Sequence, residues 1–164
     1  MQIHGTIHSF PKEIKTLILV FLVILSIGYF TGLVFVNDTS SANPDSIQEH
    51  YLGNENDDNA QVMKFKKSER EMLTLVHNHI LSLSLIFFVL ALILSTTSIN
   101  KKIKHFLMFE PLVSVVLTFG GIYLMWMGIT WFKYIVMISG TLMTLSYISA
   151  VILIITQLFK KKLS

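Results

Sequence analysis

The sequence of 164 residues contains no cysteine. Disulfide bonds, thiolate metal sites, iron–sulfur clusters and cysteine nucleophiles are therefore excluded. Charged residues are also scarce: they make up 14% of this chain, whereas soluble domains carry about 25%. Hydrophobic residues reach 52%, and the mean hydropathy is +0.63. This composition indicates a membrane protein.

Four apolar segments of 21 to 25 residues lie at about 16–36, 72–95, 106–127 and 134–158. A bilayer core of about 30 Å needs roughly 20 helical residues, so each segment is long enough to cross it. Backbone polar groups in hydrocarbon must be satisfied within the segment, and these runs are too long for barrel strands. We therefore predict an all-α integral membrane protein, an antiparallel bundle of four transmembrane helices that forms a single membrane domain over 1–164.

Small residues in two of the segments indicate where helices pack closely. The first segment is longer than a signal-peptide core of about 7–15 residues, so we predict that it is a retained helix. It carries Gly28 and Gly32 four residues apart, the spacing that lets membrane helices approach each other. Gly140, Thr144 and Tyr147 share one face of the fourth segment and predict a second packing seam with hydroxyl partners.

Lysine and arginine are unevenly distributed about the four segments. Eight lysines flank the ends on one side, whereas the other side has five basic residues diluted by eight acidic ones. The positive-inside rule predicts that the lysine-rich side is cytoplasmic, with both termini inside. The 37–70 loop and the 128–133 turn are then external, and Trp126, Trp131 and Tyr134 near that turn are typical of interfacial anchors. We predict a multi-pass protein of the inner (cytoplasmic) membrane.

The 37–70 loop is the only long polar stretch of the chain. Asn43 followed by Pro44 is typical of a helix N-terminus, and Gly53 of a helix C-terminus. These signals predict a short helix over about 44–52. Because one side of it is apolar, we expect this helix to lie on the membrane surface over the mouth of the bundle.

The start of the second apolar segment combines a capping motif with several polar residues. The sequence at 68–71 matches the S-x-x-E capping box and predicts a helix start. With a turn of 100° per residue, five polar side chains share an arc of about 140°. They are Glu71, Thr74, Asn78, His79 and Ser82. Because ionisable groups at membrane depth usually face the bundle interior, we predict that this polar stripe faces inward.

Two histidines in this stretch lie on different faces. His77 and His79 are about 160° apart on an ideal helix, so they cannot chelate one ion from a single helix. His79 belongs to the predicted inward stripe, where Asn78 and Ser82 could fix its tautomer. His77 then points to another helix, to the interface or to lipid.

Histidine and methionine side chains also meet at the predicted outer end of the bundle. Met125 and Met127 end the third segment, and His50 lies in the loop helix. Imidazole and thioether groups suit copper, and they also ligate haem iron. One hypothesis is therefore a copper ion or haem b held by His79, with His77, His50, Met125 and Met127 as further candidate ligands.

The alternative is that the methionines fill gaps in the core and the histidines form hydrogen bonds between helices. The residues favour this alternative because no Met-x-x-Met motif is present. A haem held by two histidines also needs them on facing helices at the same depth, and the first and fourth segments contain none.

One face of the third segment carries polar residues at helical spacing. It consists of Glu110, Ser114, Thr118, Gly121 and Met125. Because Pro111 follows Glu110, we expect Glu110 to be a first-turn acid, paired with Lys104 or His105. The alternative is a proton or cation path that runs from Glu110 past Ser114 and Thr118 towards His79.

Several classes of function have no support in the sequence. It contains no Gly-rich phosphate loop, no Ser/His/Asp arrangement and no H-E-x-x-H motif, which favours a non-catalytic protein. The lysine clusters flank membrane helices and suit anionic lipid better than nucleic acid. Two hypotheses remain. The first is a binding or accessory subunit that works with other membrane subunits or a second copy. The second is a small transporter or proton-coupled conduit that uses Glu110 and His79.

Overall fold

The computed structural model describes residues 6–40, 43–55, 57, 60 and 62–159. Within these ranges all regular secondary structure is helical. The elements are a 3₁₀ turn (Ile7–Ser9), α1 (Lys12–Ser40), α2 (Pro44–Leu52), α3 (Glu69–Ser95), α4 (Lys101–Trp126) and α5 (Phe132–Phe159).

Four of these helices, α1, α3, α4 and α5, are long and apolar enough to cross a membrane. They contain 26 to 29 residues, which corresponds to about 40 Å at the α-helical rise. The prediction of four transmembrane helices is confirmed. Each helix is longer than its apolar run because polar residues continue it at one or both ends. For example, α1 reaches Ser40, whereas its predicted apolar run ends at residue 36.

The core of the bundle is formed by α4 with its two antiparallel neighbours, α3 and α5. Gly121 of α4 permits a close approach, since a Cβ atom at this position would lie 3.0 Å from the Val136 side chain of α5. Nearby, the hydroxyls of Thr118 and Ser139 lie 2.7 Å apart. These two contacts fix the register of α4 against α5.

The first helix, α1, is the most peripheral of the four. Only 11% of its most apolar window is buried, against 39% for α4 and 33% for α5. The expectation that Gly28 and Gly32 pack closely is wrong, because no atom lies within 4 Å of where their Cβ atoms would be. Instead, α1 reaches α5 through hydrogen bonds from Ser26 and Tyr29.

The short helix α2 lies against the end of the bundle where α4 ends and α5 begins, and its predicted range of 44–52 is confirmed. The Lys133 ammonium of α5 lies 2.6 Å from the Asp45 carboxylate of α2. The indole of Trp126 donates a hydrogen bond of 2.8 Å to the carbonyl of Lys67. These contacts tie the loop to the bundle, and Ile47 of α2 is buried beneath it.

The surroundings of Pro111 differ from the expectation. Because α4 begins at Lys101, capped by Asn100, Pro111 lies well inside the helix rather than in its first turn. Glu110 is therefore not a first-turn acid. Lys104 does not pair with it either, because its ammonium group donates to two carbonyl oxygens at the end of α3.

Candidate functional site

The carboxyl group of Glu110 is buried in the middle of the bundle. Its side chain belongs to α4, and the residue is 9% exposed. The Ser114 hydroxyl, one turn further along, donates to Oε1 over 2.5 Å. The other carboxyl oxygen, Oε2, is buried and has no hydrogen-bond partner among the described residues. Leaving a buried polar atom unpaired costs about 1–3 kcal/mol, so this oxygen needs an explanation.

A line of hydroxyl groups continues from Glu110 along the buried face of α4. Ser114 and Thr118 are both buried, as the single-face prediction requires. The Ser139 hydroxyl donates to the Ile135 carbonyl at 2.7 Å, so it accepts its bond from Thr118. From Glu110 to Thr118 the line spans about 12 Å along the helix axis.

Two stacked tyrosines lie level with Glu110. Since Thr118 faces Ser139 in the antiparallel register, Glu110 lies opposite Tyr147 of α5. The Tyr147 ring stacks on that of Tyr29 from α1, with 3.9 Å between ring centroids. Tyr29 therefore lies on the α1 side of the same level. The tyrosine pair therefore closes the α1 side of the polar core.

Apolar clusters cover both ends of this polar line. The cluster beneath α2 consists of Ile47, Met72, Ile122, Met125 and Val136. The larger cluster surrounds Glu110, with Val115 and Tyr147 among its members, and continues to the opposite end of the bundle with Leu107, Ile154 and Leu158. Glu110 and its hydroxyls are therefore closed off from both surfaces in this structure.

The polar stripe of α3 does not face the interior as predicted. All five of its residues are exposed: Glu71, Thr74, Asn78, His79 and Ser82. Three of them satisfy their hydrogen-bonding groups on carbonyls four residues earlier in the same helix, those of Arg70, Leu75 and Asn78. Such back-bonding removes the need for an interior partner.

The ring of His79 is nevertheless fixed in place. Its Nδ1 lies 2.8 Å from the carbonyl oxygen of Leu75, and because a carbonyl only accepts, Nδ1 carries the proton. The ring stacks on Phe119 of α4 at 4.5 Å between centroids. Its Nε2 makes no hydrogen bond with the part of the chain that the structure describes. His77 is exposed on another face of α3.

The remaining candidate ligands lie in three different surroundings. His50 lines an open groove between the end of α1 and the loop, together with Asp38 and Glu49. Burial, followed by the charges of two nearby lysines, lowers the pKa of His50. Met125 is fully buried in the apolar cluster beneath α2, whereas Met127 is 61% exposed. Across the described ranges, no group of three or more His, Asp or Glu side chains could hold a metal ion. The copper or haem site therefore stays a prediction, and within the described ranges its candidate ligands lie in different surroundings.

Two features of the polar core were missed by the sequence analysis. Tyr29 was not singled out, although Ser26 and Tyr29 are polar residues three apart in an otherwise apolar segment. Ser139 was also missed, although it directly precedes Gly140 of the predicted seam. That seam is present, because Tyr147 and Thr144 bond to α1 at 2.9 and 3.2 Å.

A polar core enclosed by four membrane-length helices defines a small multi-pass integral membrane protein. A family model described as a transmembrane helical domain, Aq_1264_TM, matches residues 41–164, and the chain belongs to this family. The match includes α2 to α5 and leaves α1 outside it. No curated protein and no solved structure matches the chain.

Proposed function

We propose that this protein is a small proton-coupled transporter or conduit in which Glu110 binds the transported proton. The observation that carries the proposal is the unpaired, buried Oε2 atom of Glu110. An ionisable group at membrane depth is costly, and such groups mark proton or ion pathways in many membrane proteins. A carboxyl oxygen without a protein partner is free to take up a proton.

The hydroxyl line gives the proton a direction. Ser114 contacts Glu110, and Thr118 and Ser139 follow it along the helix. Hydroxyl groups both donate and accept hydrogen bonds, so a chain of them can relay a proton. The remaining step to His79 requires the line to open, since Thr118 bonds to α5 and His79 lies on the exposed side of α3.

Transport also requires water to reach the polar line, so the apolar packing at each end of the line must open transiently. The cluster beneath α2 is held by contacts from the external loop, including the pair between Lys133 and Asp45. We therefore propose that movement of α2 admits water to the polar line from this side. Lids of this kind commonly open on the microsecond to millisecond timescale.

The test is proton flux into proteoliposomes that contain a pH-sensitive dye. We expect Glu110→Gln to abolish flux under an imposed membrane potential, because an amide cannot bind and release a proton in this way. Glu69→Gln is the matched control, since Glu69 is an exposed carboxylate at the start of α3. Unchanged flux in the Glu110 variant, with the protein still folded, would reject the proposal.

The orientation belongs to the same proposal. Lysines near the ends of α1, α4 and α5 that lie away from α2 support a cytoplasmic location for those ends. In this orientation both termini are cytoplasmic, the membrane is the inner one, and Glu110 lies in the cytoplasmic half of the bilayer.

A second candidate function is a binding or accessory subunit with a copper or haem site at the outer face. One observation favours it. Donation from Nδ1 of His79 to a backbone carbonyl is the arrangement typical of metal-binding histidines, and it leaves the lone pair of Nε2 free. Because the candidate ligands of one chain are dispersed, this function needs ligands from elsewhere.

A further inference from the structure

One exposed face of α3 carries a regular seven-residue pattern. Its members recur at alternating intervals of four and three residues and share an arc of about 80° at a turn of 100° per residue. We call them the α3 heptad face: Thr74, Asn78, Leu81, Leu85, Phe88 and Leu92. All six are exposed, whereas the opposite side of α3 packs into the bundle through Phe87, Leu90 and Leu94. Alternating intervals of four and three are those of the contact positions in a left-handed coiled coil.

The apolar members of this face are compatible with lipid, but Asn78 is not. The ring of His79, the next residue, stacks on Phe119 of α4, which lies seven residues before Trp126. The Trp126 indole bonds to the carbonyl of Lys67 in the external loop. Since seven residues correspond to about 10 Å along a helix, Asn78 lies about that far below the loop. Polar side chains at such depth usually face protein or water rather than lipid.

The amide of Asn78 has no partner in its own chain. Among the described residues it makes no hydrogen bond, although the backbone carbonyl of Asn78 accepts from the Ser82 hydroxyl at 2.6 Å. Thr74, the other polar member of the face, is satisfied within α3, because its hydroxyl donates to the Arg70 carbonyl at 2.7 Å. An amide in an apolar environment is costly unless it is hydrogen-bonded. The α3 heptad face therefore has one polar group that requires a partner from outside the chain.

A second copy of the chain is the partner that fits this face. A two-fold axis normal to the membrane places the same residue of each α3 at the same depth. Asn78 then faces Asn78, and because an amide both donates and accepts, the two side chains bond to each other. A single Asn at a contact position fixes the register of paired helices in the same way. Residues 72–95 contain no Asp, Glu, Lys or Arg, so no like charges oppose the approach.

We infer that two copies of the chain pair in parallel through their α3 heptad faces, with a hydrogen bond between the two Asn78 side chains. His79 takes no part, because it lies about 100° from Asn78 around the helix and its ring packs on Phe119 of its own chain. The inference is independent of the proton proposal, since the hydroxyl line of Glu110 faces α5 rather than the heptad face.

The absence of cysteine allows a direct test with single cysteines in the heptad face. Leu81→Cys and Leu85→Cys leave Asn78 in place, and each brings two thiols together in the proposed dimer. We expect mild oxidation in native membranes to link both variants into dimers of twice the mass of the chain. Leu117→Cys and Val113→Cys are the matched controls. These α4 residues are exposed at about the same depths, counted from the ring contact between α3 and α4, and lie outside the heptad face.

The amide is tested in the chain without cysteine. We expect Asn78→Leu to raise the dissociation constant of the dimer in detergent about tenfold, because it removes the hydrogen bond between the copies. Sedimentation equilibrium measures the change. Thr141→Leu is the control and should leave the dissociation constant unchanged, because Thr141 is an exposed polar residue of α5 outside the heptad face.

The outcomes distinguish a second copy from other partners. No dimer from either heptad variant, or equal amounts from these variants and their controls, would overturn the inference. An adduct of another mass would show that a different protein covers the face, and would overturn the second copy as its partner. Dimers that are equally stable with and without the Asn78 amide would overturn its role in the pairing.

Discussion

At the scale of single residues, two tyrosines provide the polar attachment of α1 to the bundle. The Tyr147 hydroxyl pairs with Ser26 at 2.9 Å, and the Tyr29 hydroxyl pairs with Thr144 at 3.2 Å. The bonds run in opposite directions, since each tyrosine reaches a hydroxyl on the other helix. In a membrane, lipid is as apolar as the surface of a neighbouring helix, so apolar packing alone gives α1 little preference for one docking position. The two hydrogen bonds supply that preference.

Removing one of these hydroxyls should loosen α1. We expect Tyr147→Phe to keep the ring stack but lose the bond to Ser26, which lowers the stability by about 1 kcal/mol. Thermal unfolding in detergent measures the change. Tyr134→Phe is the control, because Tyr134 is 52% exposed at the start of α5. Equal effects of the two substitutions would contradict the assigned role of the bond.

Gly53 is a second residue whose identity is fixed by the backbone. It has a φ of 77°, and a Cβ atom there would lie 2.7 Å from the backbone nitrogen of Lys66. We expect Gly53→Ala to destabilise the loop by at least about 1 kcal/mol, because both the dihedral angle and the space are unfavourable. Faster proteolysis of the loop would reveal it. Gly120→Ala, in open space on α4, should be neutral or stabilising; if it weakens the loop equally, the explanation fails.

At the scale of elements, the sequence predicts where the helices end but not which side of each helix faces the core. The boundaries of α2 follow from Asn43, whose side chain accepts from the backbone of Asp45, and from Gly53. The capping box is also formed, since the Glu71 carboxylate accepts from the Ser68 backbone at 2.8 Å. These signals are local, so a few neighbouring residues suffice to read them.

The facing of α3 depends on non-local information. In a membrane, lipid and protein core are equally apolar, so the pattern of apolar residues does not distinguish the two sides of a helix. The sequence therefore predicts that the polar residues of α3 share one face. It does not predict whether that face points to the core or away from it, because this depends on the neighbouring helices. The same residue types face inward on α4, where Glu110 and Thr118 have neighbours on other helices.

The docking of α2 should depend on pH through His50. Burial, then Lys67 and Lys64, lowers the pKa of His50 below its usual 6.5, so the folded loop binds the proton less readily than the unfolded loop. Its contribution to stability is complete above pH 6.5 and decreases as the pH falls through the lowered value. Asp38 and Glu49 line the same groove.

Hydrogen exchange of the α2 amides measures this effect. We expect less protection at about pH 5.5 than at about pH 7.5, after correction for intrinsic rates. The difference should shrink in His50→Gln, which lacks the titrating ring. An identical pH response in both proteins would assign the effect to other groups.

At the scale of the whole molecule, the family domain and the peripheral helix are distinct parts. The domain of residues 41–164 contains Glu110 and its hydroxyl line, the apolar cluster beneath α2 and the exposed polar stripe of α3. The α1 helix adds Tyr29 and Ser26 from outside that domain, so it completes the polar core without forming its centre. The chain therefore has two separate polar systems: the buried line of Glu110, which faces α5, and the exposed polar stripe of α3.

The direction of the chain across the membrane determines what each polar system can do. Single cysteines in the thiol-free chain test it: Thr130→Cys in the turn between α4 and α5, and Ser98→Cys between α3 and α4, both at exposed positions. The lysine distribution predicts that a membrane-impermeant maleimide labels Thr130→Cys in intact cells, and labels Ser98→Cys only after the membrane is broken. That result places the polar stripe of α3 in the outer half of the membrane and Glu110 in the inner half. The reverse labelling would contradict the predicted orientation, and any proton taken up through α2 would then come from the cytoplasm.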